Sequence, residues 1–249
     1  MRYGICHLSI VPVRNEASDT SEMVTQLLYG EHFKVIEKRR SWSRIRIAYD
    51  NYEGWIDNKQ YQFIEETDYK SLSKKTPVYA SDLIEFVSDS HSQLYPIPLG
   101  SSLHGLSIIK HSHDGNTTKG KKSKGALVET AFLYLNSPYL WGGKTPFGID
   151  CSGFTQMVYK LNGHALLRDA SQQATQGESL SFIEESEAGD LAFFDNEEGV
   201  IVHVGIILND NYIIHAHGKV RIDRLDHSGI YNQEKRKHTH KLRVIKKII

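Results

Sequence analysis

The sequence predicts an α+β protein whose helix-bearing part is preceded by small all-β barrels. Three observations carry this. Residues 1–62 hold short runs rich in β-branched and aromatic residues, "GICHLSIVPVR", "HFKVIEKRR", "SRIRIAY" and "GWIDN", separated by turn-forming or charged clusters. Residues 63–110 repeat that character in "TPVYA", "IEFVSD" and "QLYPIPLGSSL". From residue 126 the texture changes. Two stretches with helical spacing come first and strand-like runs follow, which is the order of an α+β domain.

Composition narrows the function classes. The chain has 249 residues, long enough for a real core, with 30 Lys+Arg against 30 Asp+Glu and a formal net charge of zero. No basic face for nucleic acid is expected. The hydrophobic fraction of 39% and charged fraction of 24% are those of an ordinary soluble protein. The first residues, "MRYGICHLSIVPVRNEAS", lack the apolar core of a signal peptide. No stretch approaches the roughly 18 apolar residues of a membrane span. A cytoplasmic protein is therefore expected, with an exported protein whose signal has been removed as the alternative. Cys6 and Cys151 do not make a disulfide framework.

The first β region spans 1–62. The second, 63–110, reads as a divergent copy of it. Pro96 and Pro98 bar a central strand there and allow an edge. Residues 111–125, "HSHDGNTTKGKKSKG", contain no apolar residue and read as a linker. His111 and His113 in it read as solvated rather than as metal ligands, and the lysine run reads as a solvated loop. The last domain spans 126–249. "ALVETAFLYLN" has apolar residues at 127, 128, 131, 132 and 135, and "CSGFTQMVYKLNG" sets Phe154, Met157, Val158 and Leu161 on one face, with Gly163 as a stop. Strands are expected at "GDLAFFD", "VIVHVGIIL", "NYIIHAH" and "HKLRVIKKII".

Cys151 falls at the first turn of the second of these helices, just after Asp150. The positive end of the helix dipole and free backbone N–H groups favour thiolate there. A buried cysteine acting as a small hydrophobe fits the same stretch. "VIVHVGIILNDNYIIHAHG" places His203 and His215 in two apolar runs joined by "NDN", the pattern of a β-hairpin. A turn near Asn209 and Asp210 sets 203 almost opposite 215, with Cβ atoms about 5 Å apart if both share a face. Two satisfied core histidines are one reading. A base and its orienter beside a cysteine nucleophile are another. Zinc held by Cys151, His203 and His215 is a third, weakened by the absence of tightly spaced ligand pairs.

"YLWGGKTPFGIDCSGFTQMVY", "LRDASQQATQGE", "AGDLAFF", "HVGIIL" and "YIIHAHG" resemble, in order, the successive motifs of the NlpC family of cell-wall cysteine peptidases. "SEMVTQLLYGEHFKVIEKRRSWSRIRIAYDNYEGWI" resembles a bacterial SH3-like domain. The resemblance implies a papain-like catalytic domain, in which a helix carrying the cysteine packs on an antiparallel sheet carrying the histidines. It implies Cys151 as nucleophile, His203 as base and His215 as the third catalytic residue, with no cofactor. Tyr139 matches a tyrosine near the oxyanion hole, where the backbone N–H of Cys151 is the second donor. Trp141 matches an aromatic wall of the substrate groove. Asp150 and Ser152 are expected to contact substrate.

Asp169, in "RDASQQ", resembles the subgroup that recognises a free N-terminal L-alanine. A carboxylate there would offset the desolvation of the substrate ammonium. The implied partner is a peptidoglycan-derived peptide, L-Ala-γ-D-Glu-diamino acid, cut at the γ-D-glutamyl bond in muropeptide recycling. In that subgroup the SH3-like domain blocks one end of the cleft. Ala170 departs from the serine often found there. His217 stands where serine is frequent and reads as a polar strand end. His164, His227, His238 and His240 receive no role. A non-catalytic wall-binding module and an acyltransferase or amidase of related fold are the alternatives.

Overall fold

A computed structural model describes residues 2–249. The described residues fall into two compact units, one ending at Lys121 and one beginning at Lys122. Among them no helix is long and apolar enough to cross a membrane.

The first unit opens with seven strands: β1 (Arg2–Ile5), β2 (Ile10–Arg14), β3 (Met23–Leu28), β4 (His32–Lys38), β5 (Trp42–Ile47), β6 (Glu53–Asp57) and β7 (Gln62–Ile64). They form one antiparallel sheet in the order β3-β2-β6-β5-β4-β1-β7. The period of two explains the core. Along β5, Ser43, Ile45 and Ile47 are buried while Arg44 and Arg46 are exposed. Val11, Leu27, Phe33 and Ile56 join the isoleucines, and Cys6 lies among them.

The rest of the unit is α1 (Glu66–Lys74), β8 (Val78–Ala80), β9 (Ile84–Ser88), β10 (Leu94–Pro98), α2 (Leu106–Ile109), β11 (Ser112–His113) and β12 (Thr117–Lys119). The sheet β10-β9-β11 keeps proline-bearing β10 at its edge, as the missing proline N–H requires. This region does not form a second separate barrel. Its core of Leu72, Ala80, Val87 and Ile97 is shared with Ile5 of β1 and with Tyr29, just after β3. Gly30, at φ +74°, lets the chain pass the Ser102 carbonyl, which a Cβ would strike. The expected linker 111–125 is likewise corrected. β11 and β12 pair with β9 and β8, His111 stacks on Tyr95, and Ser123 caps the next helix. Edge pairing needs only backbone groups, so a polar segment can supply it.

The second unit begins with α3 (Lys124–Phe132), β13 (Lys144–Thr145), β14 (Gly148–Ile149), α4 (Cys151–Leu161), α5 (Ala170–Gln173) and β15 (Glu178–Leu180). It continues with β16 (Leu191–Asp195), β17 (Ile201–Leu208), β18 (Tyr212–His217), β19 (Lys219–Asp226), β20 (Gly229–Asn232) and β21 (Lys237–Lys247). β16 to β20 pair in succession, and β21 pairs with both β16 and β20. The sheet therefore closes into a six-stranded antiparallel ring, with β15 added along β21. The sequence pattern indicates neither β19 and β20 nor the closure. All eleven residues of α4 are buried, as befits a helix enclosed on every side. Gly153 permits this, since a Cβ there would lie 2.3 Å from the Gly143 carbonyl oxygen.

Candidate active site

Asp150 starts α4 and organises its surroundings. Its side chain accepts from the Gly153 N–H at 2.6 Å as helix cap and from the Gly142 N–H at 2.8 Å. Arg168, 1% exposed, donates to Asp150 Oδ1 and Oδ2 at 3.0 and 2.6 Å and to Ser152 Oγ at 3.0 Å. This buried fork binds the "RDASQQ" segment to the first turn of α4. Gln173 of α5 adds a bond to the Ser152 carbonyl at 2.9 Å. Arg168 was not among the expected site residues, although it stands next to Asp169 in the same motif. Asp150 and Ser152 are thus buried, with their side chains engaged by Arg168 and, for Asp150, by two backbone N–H groups. Asp169, half-buried, is the N-cap of α5 in a reciprocal box with Gln172.

Cys151 is buried, and the N–H groups of Ser152 and of Val204, on β17, reach its sulfur. Burial and then the Asp150 charge push its thiol up to about 12, against those two N–H groups and Arg168. The expectation of a thiolate favoured by the helix start is corrected here. A helix terminus is worth about 0.3–1 kcal/mol, less than one pKa unit at about 1.4 kcal/mol, so desolvation wins. Tyr139 feels the same charges. Burial, then Cys151 and then Asp150 push its phenol up to about 12, so it stays a donor beside the sulfur. Trp141 is 60% exposed on the loop before β13, and Phe147, exposed, stands between β13 and β14.

The histidines meet, but not in the expected register. Gly205 lies opposite His215 and Leu208 opposite Tyr212. The turn therefore centres on Asp210, with Asp210 and Asn211 at positive φ. His203 consequently reaches His215 diagonally, on the same face, across Gly205. A Cβ on Gly205 would lie 2.8 Å from the His215 Cβ, so glycine is what opens this path. His203 Nε2 and His215 Nδ1 are 2.8 Å apart.

Behind them stands a group that sequence reasoning did not select. Asp223 on β19 bonds His215 Nε2 through Oδ2 at 3.0 Å. Arg221 clamps the same carboxylate at 2.7 and 3.0 Å. His240 on β21 stacks on His203 with ring centroids 4.3 Å apart, and His217 meets His240 edge-on at 4.9 Å. His217 is therefore part of a ring cluster rather than a solvated strand end. Its partner His240, given no role in the sequence, lies against the ring of His203.

Burial first, then the neighbouring rings, hold His203 well below 6.5. Burial likewise lowers His215 despite Asp223. Both imidazoles are neutral near pH 7. A protonated thiol, a neutral imidazole, its imidazole partner and a phenol are the parts of nucleophilic acyl transfer. Among the described residues no three His, Cys, Asp or Glu side chains are grouped to hold a metal ion.

Known proteins agree with this architecture. The NlpC/P60 family profile matches residues 136–241 and a bacterial dipeptidyl-peptidase SH3 domain matches residues 13–60. A γ-D-glutamyl-L-lysine dipeptidyl-peptidase of Bacillus subtilis is 30% identical over 217 residues, 77% of this chain and 71% of that protein. Dipeptidyl-peptidase 6 of Lysinibacillus sphaericus is 29% identical, over 86% of this chain and 89% of its own. The crystal structure of an NlpC/P60 family protein from Bacillus cereus shares the fold with a TM-score of 0.79 at 18% identity, covering 99% of both chains. On these matches, the chain belongs to the NlpC/P60 family of cell-wall cysteine peptidases.

Proposed function

We propose that the chain hydrolyses the γ-D-glutamyl-L-diamino acid bond of peptidoglycan stem peptides by a papain-like mechanism. The observation that carries this is the 2.8 Å contact of His203 with His215, on a strand whose next N–H reaches the Cys151 sulfur. His203 takes the thiol proton as Cys151 attacks the γ-carbonyl carbon. His215 holds the ring of the base. Tyr139 and the Cys151 N–H donate to the oxygen that becomes negative, which is where fixed donors contribute most. The amine of the diamino acid leaves with the proton from His203. Water then hydrolyses the thioester and restores the thiol.

The relatives named as γ-D-glutamyl-L-lysine dipeptidyl-peptidases support the bond and the substrate class. Asp150 has its charge met by Arg168, and with Ser152 it forms the floor of the site. We assign the free α-ammonium of the substrate to Asp169, at the N-cap of α5, and the peptide's apolar side to Trp141. The test is incubation with L-Ala-γ-D-Glu-L-Lys and with its meso-diaminopimelate counterpart, read by mass spectrometry. Release of L-Ala-D-Glu is expected, abolished in Cys151→Ala. N-acetylation of the alanine should raise KM by roughly 30-fold or more, an interaction of about 2 kcal/mol at least. Equal turnover of the acetylated and free peptides would remove Asp169 from this role.

A further inference from the structure

A base that must accept a proton at one defined nitrogen needs its tautomer fixed, and the structure contains a chain of bonds that fixes it. The carboxylate of Asp223 is 5% exposed and its two oxygens face two partners. Oδ2 lies 3.0 Å from His215 Nε2 and 2.7 Å from Arg221 Nε, and Oδ1 lies 3.0 Å from Arg221 Nη2. Arg221 also reaches Glu234 at 3.3 Å. A carboxylate only accepts hydrogen bonds. His215 must therefore carry its proton on Nε2, and as a neutral ring it has an acceptor at Nδ1. That acceptor is 2.8 Å from His203 Nε2, so His203 must donate from Nε2. The lone pair of His203 is then confined to Nδ1.

We propose that Asp223, held ionised by Arg221, is a positioning residue that sets the tautomers of both histidines and so makes Nδ1 of His203 the basic atom. The inference rests on the reading of Cys151, His203 and His215 given under Proposed function. Burial alone pushes the Asp223 carboxyl up, but its bonds with His215 and Arg221 outweigh that and leave it below the usual range. Arg221 is ordinarily charged at every accessible pH. No proton leaves Asp223 at any step. The carboxylate orients, and the proton of Cys151 passes to His203 and on to the leaving amine.

The place of Asp223 in the fold argues against an incidental ion pair. In "KVRIDRLD" Val220 and Ile222 share one face and Arg221, Asp223 and Leu225 the other, so each face carries apolar residues. Ile222 is 36% exposed while Asp223 is buried on the same face as Leu225. Val220 is covered separately by the 136–138 segment, whose Ser137 and Asn136 bond its backbone. An acid facing inward beside an exposed isoleucine reverses the usual arrangement, and it hydrogen-bonds His215 and Arg221.

The test reads tautomers without substrate, so its failure is distinct from failure of the proposed reaction. Long-range proton–nitrogen spectra of nitrogen-15 histidine-labelled protein at pH 7.5 should show Nε2–H on both His203 and His215. Nδ1–H on His203 in the unaltered protein would overturn the proposal, whatever the variants do. In Asp223→Asn one oxygen must serve donors that two oxygens served, so one donor faces an amide NH2. Mixed tautomers are expected at both rings, with kcat on the tripeptide reduced about 10- to 100-fold, the scale by which outer partners of metal-bound histidines act, and KM little changed. Asp223→Glu keeps an acceptor and should restore the Nε2–H signals and part of kcat. Unchanged tautomers and unchanged kcat in folded Asp223→Asn would overturn the role. If that variant does not fold, the spectra of the unaltered protein and of Asp223→Glu decide.

Discussion

Cys6 and Cys151 are both buried and both free thiols, yet the regions around them have opposite characters. Cys6 lies in the first unit among Val11, Leu27 and Phe33, and its sulfur donates to the Leu8 carbonyl at 3.2 Å. Those three core neighbours carry neither acid nor base, and Cys6 packs there as a small hydrophobe. Cys151 lies at a helix start with two N–H groups on its sulfur, a phenol and an aspartate beside it, and a histidine pair on β17 and β18, the strands α4 packs against. Burial therefore does not separate a structural thiol from a reactive one. The groups aimed at the sulfur do.

The largest expected effect breaks the comparison at its centre. Cys151→Ala should lower kcat on L-Ala-γ-D-Glu-L-Lys by at least about 10^4-fold, the scale seen when a member of such a triad is disabled. Cys6→Ala should leave kcat/KM unchanged and cost about 1–2 kcal/mol in urea unfolding, as for an ordinary core truncation. Activity lost equally in both variants would show that the thiols act through folding alone.

Gly205→Ala sharpens the contrast next. The new Cβ would meet the His215 Cβ and Ile213 Cδ1, each at 2.8 Å, and something must shift. Overpacking of this kind costs about 1–3 kcal/mol. Because the displaced group belongs to the histidine pair, kcat should fall more than stability predicts. A variant with lower stability and native kcat would mean that His215 tolerates displacement.

These cases show how far the sequence was legible. The helix that begins near Cys151 followed from the apolar spacing of Phe154, Met157, Val158 and Leu161, and the hairpin that carries His203 and His215 followed from two apolar runs joined by turn residues. The offset between them did not, because it depends on which residue centres the 209–211 turn. Asp223 was hidden because β19 was not read as a strand, and it carries apolar residues on both faces, Val220 and Ile222 on one and Leu225 on the other. Only the packed neighbours decide which side of an isolated strand is inside. The ring closure through β21 joins segments far apart in sequence, and no local pattern encodes it. β11 and β12 were misread because backbone pairing needs no apolar side chains. The thiol's protonation was misjudged because dipole and desolvation compete, and the size of the second is set by tertiary burial.

The smallest expected effect concerns acid. Burial, then His215 and His217, lower His240 from 6.5 to about 3, and His203 and His215 are lowered too. A folded-state value below the unfolded one means the unfolded chain binds more protons between the two. Stability then rises with pH across that window. The protein should be fully stable, in this respect, above 6.5 and lose stability as pH falls from 6.5 toward about 3. His240→Asn should make that decline shallower in thermal melts taken across the window. The acid limb of kcat/KM should lie below the ordinary imidazole value of 6.5, because His203 must be neutral to act. A limb above 6.5 would contradict the neutral histidine pair.

The most direct measurement is acid quenching of the protein during turnover of L-Ala-γ-D-Glu-L-Lys, followed by peptide mass mapping for a thioester. The account predicts an L-Ala-D-Glu acyl group on the peptide that carries Cys151 and none on the peptide that carries Cys6. Product release that persists in Cys151→Ala, with no acyl group on Cys151 in the unaltered protein, would contradict it.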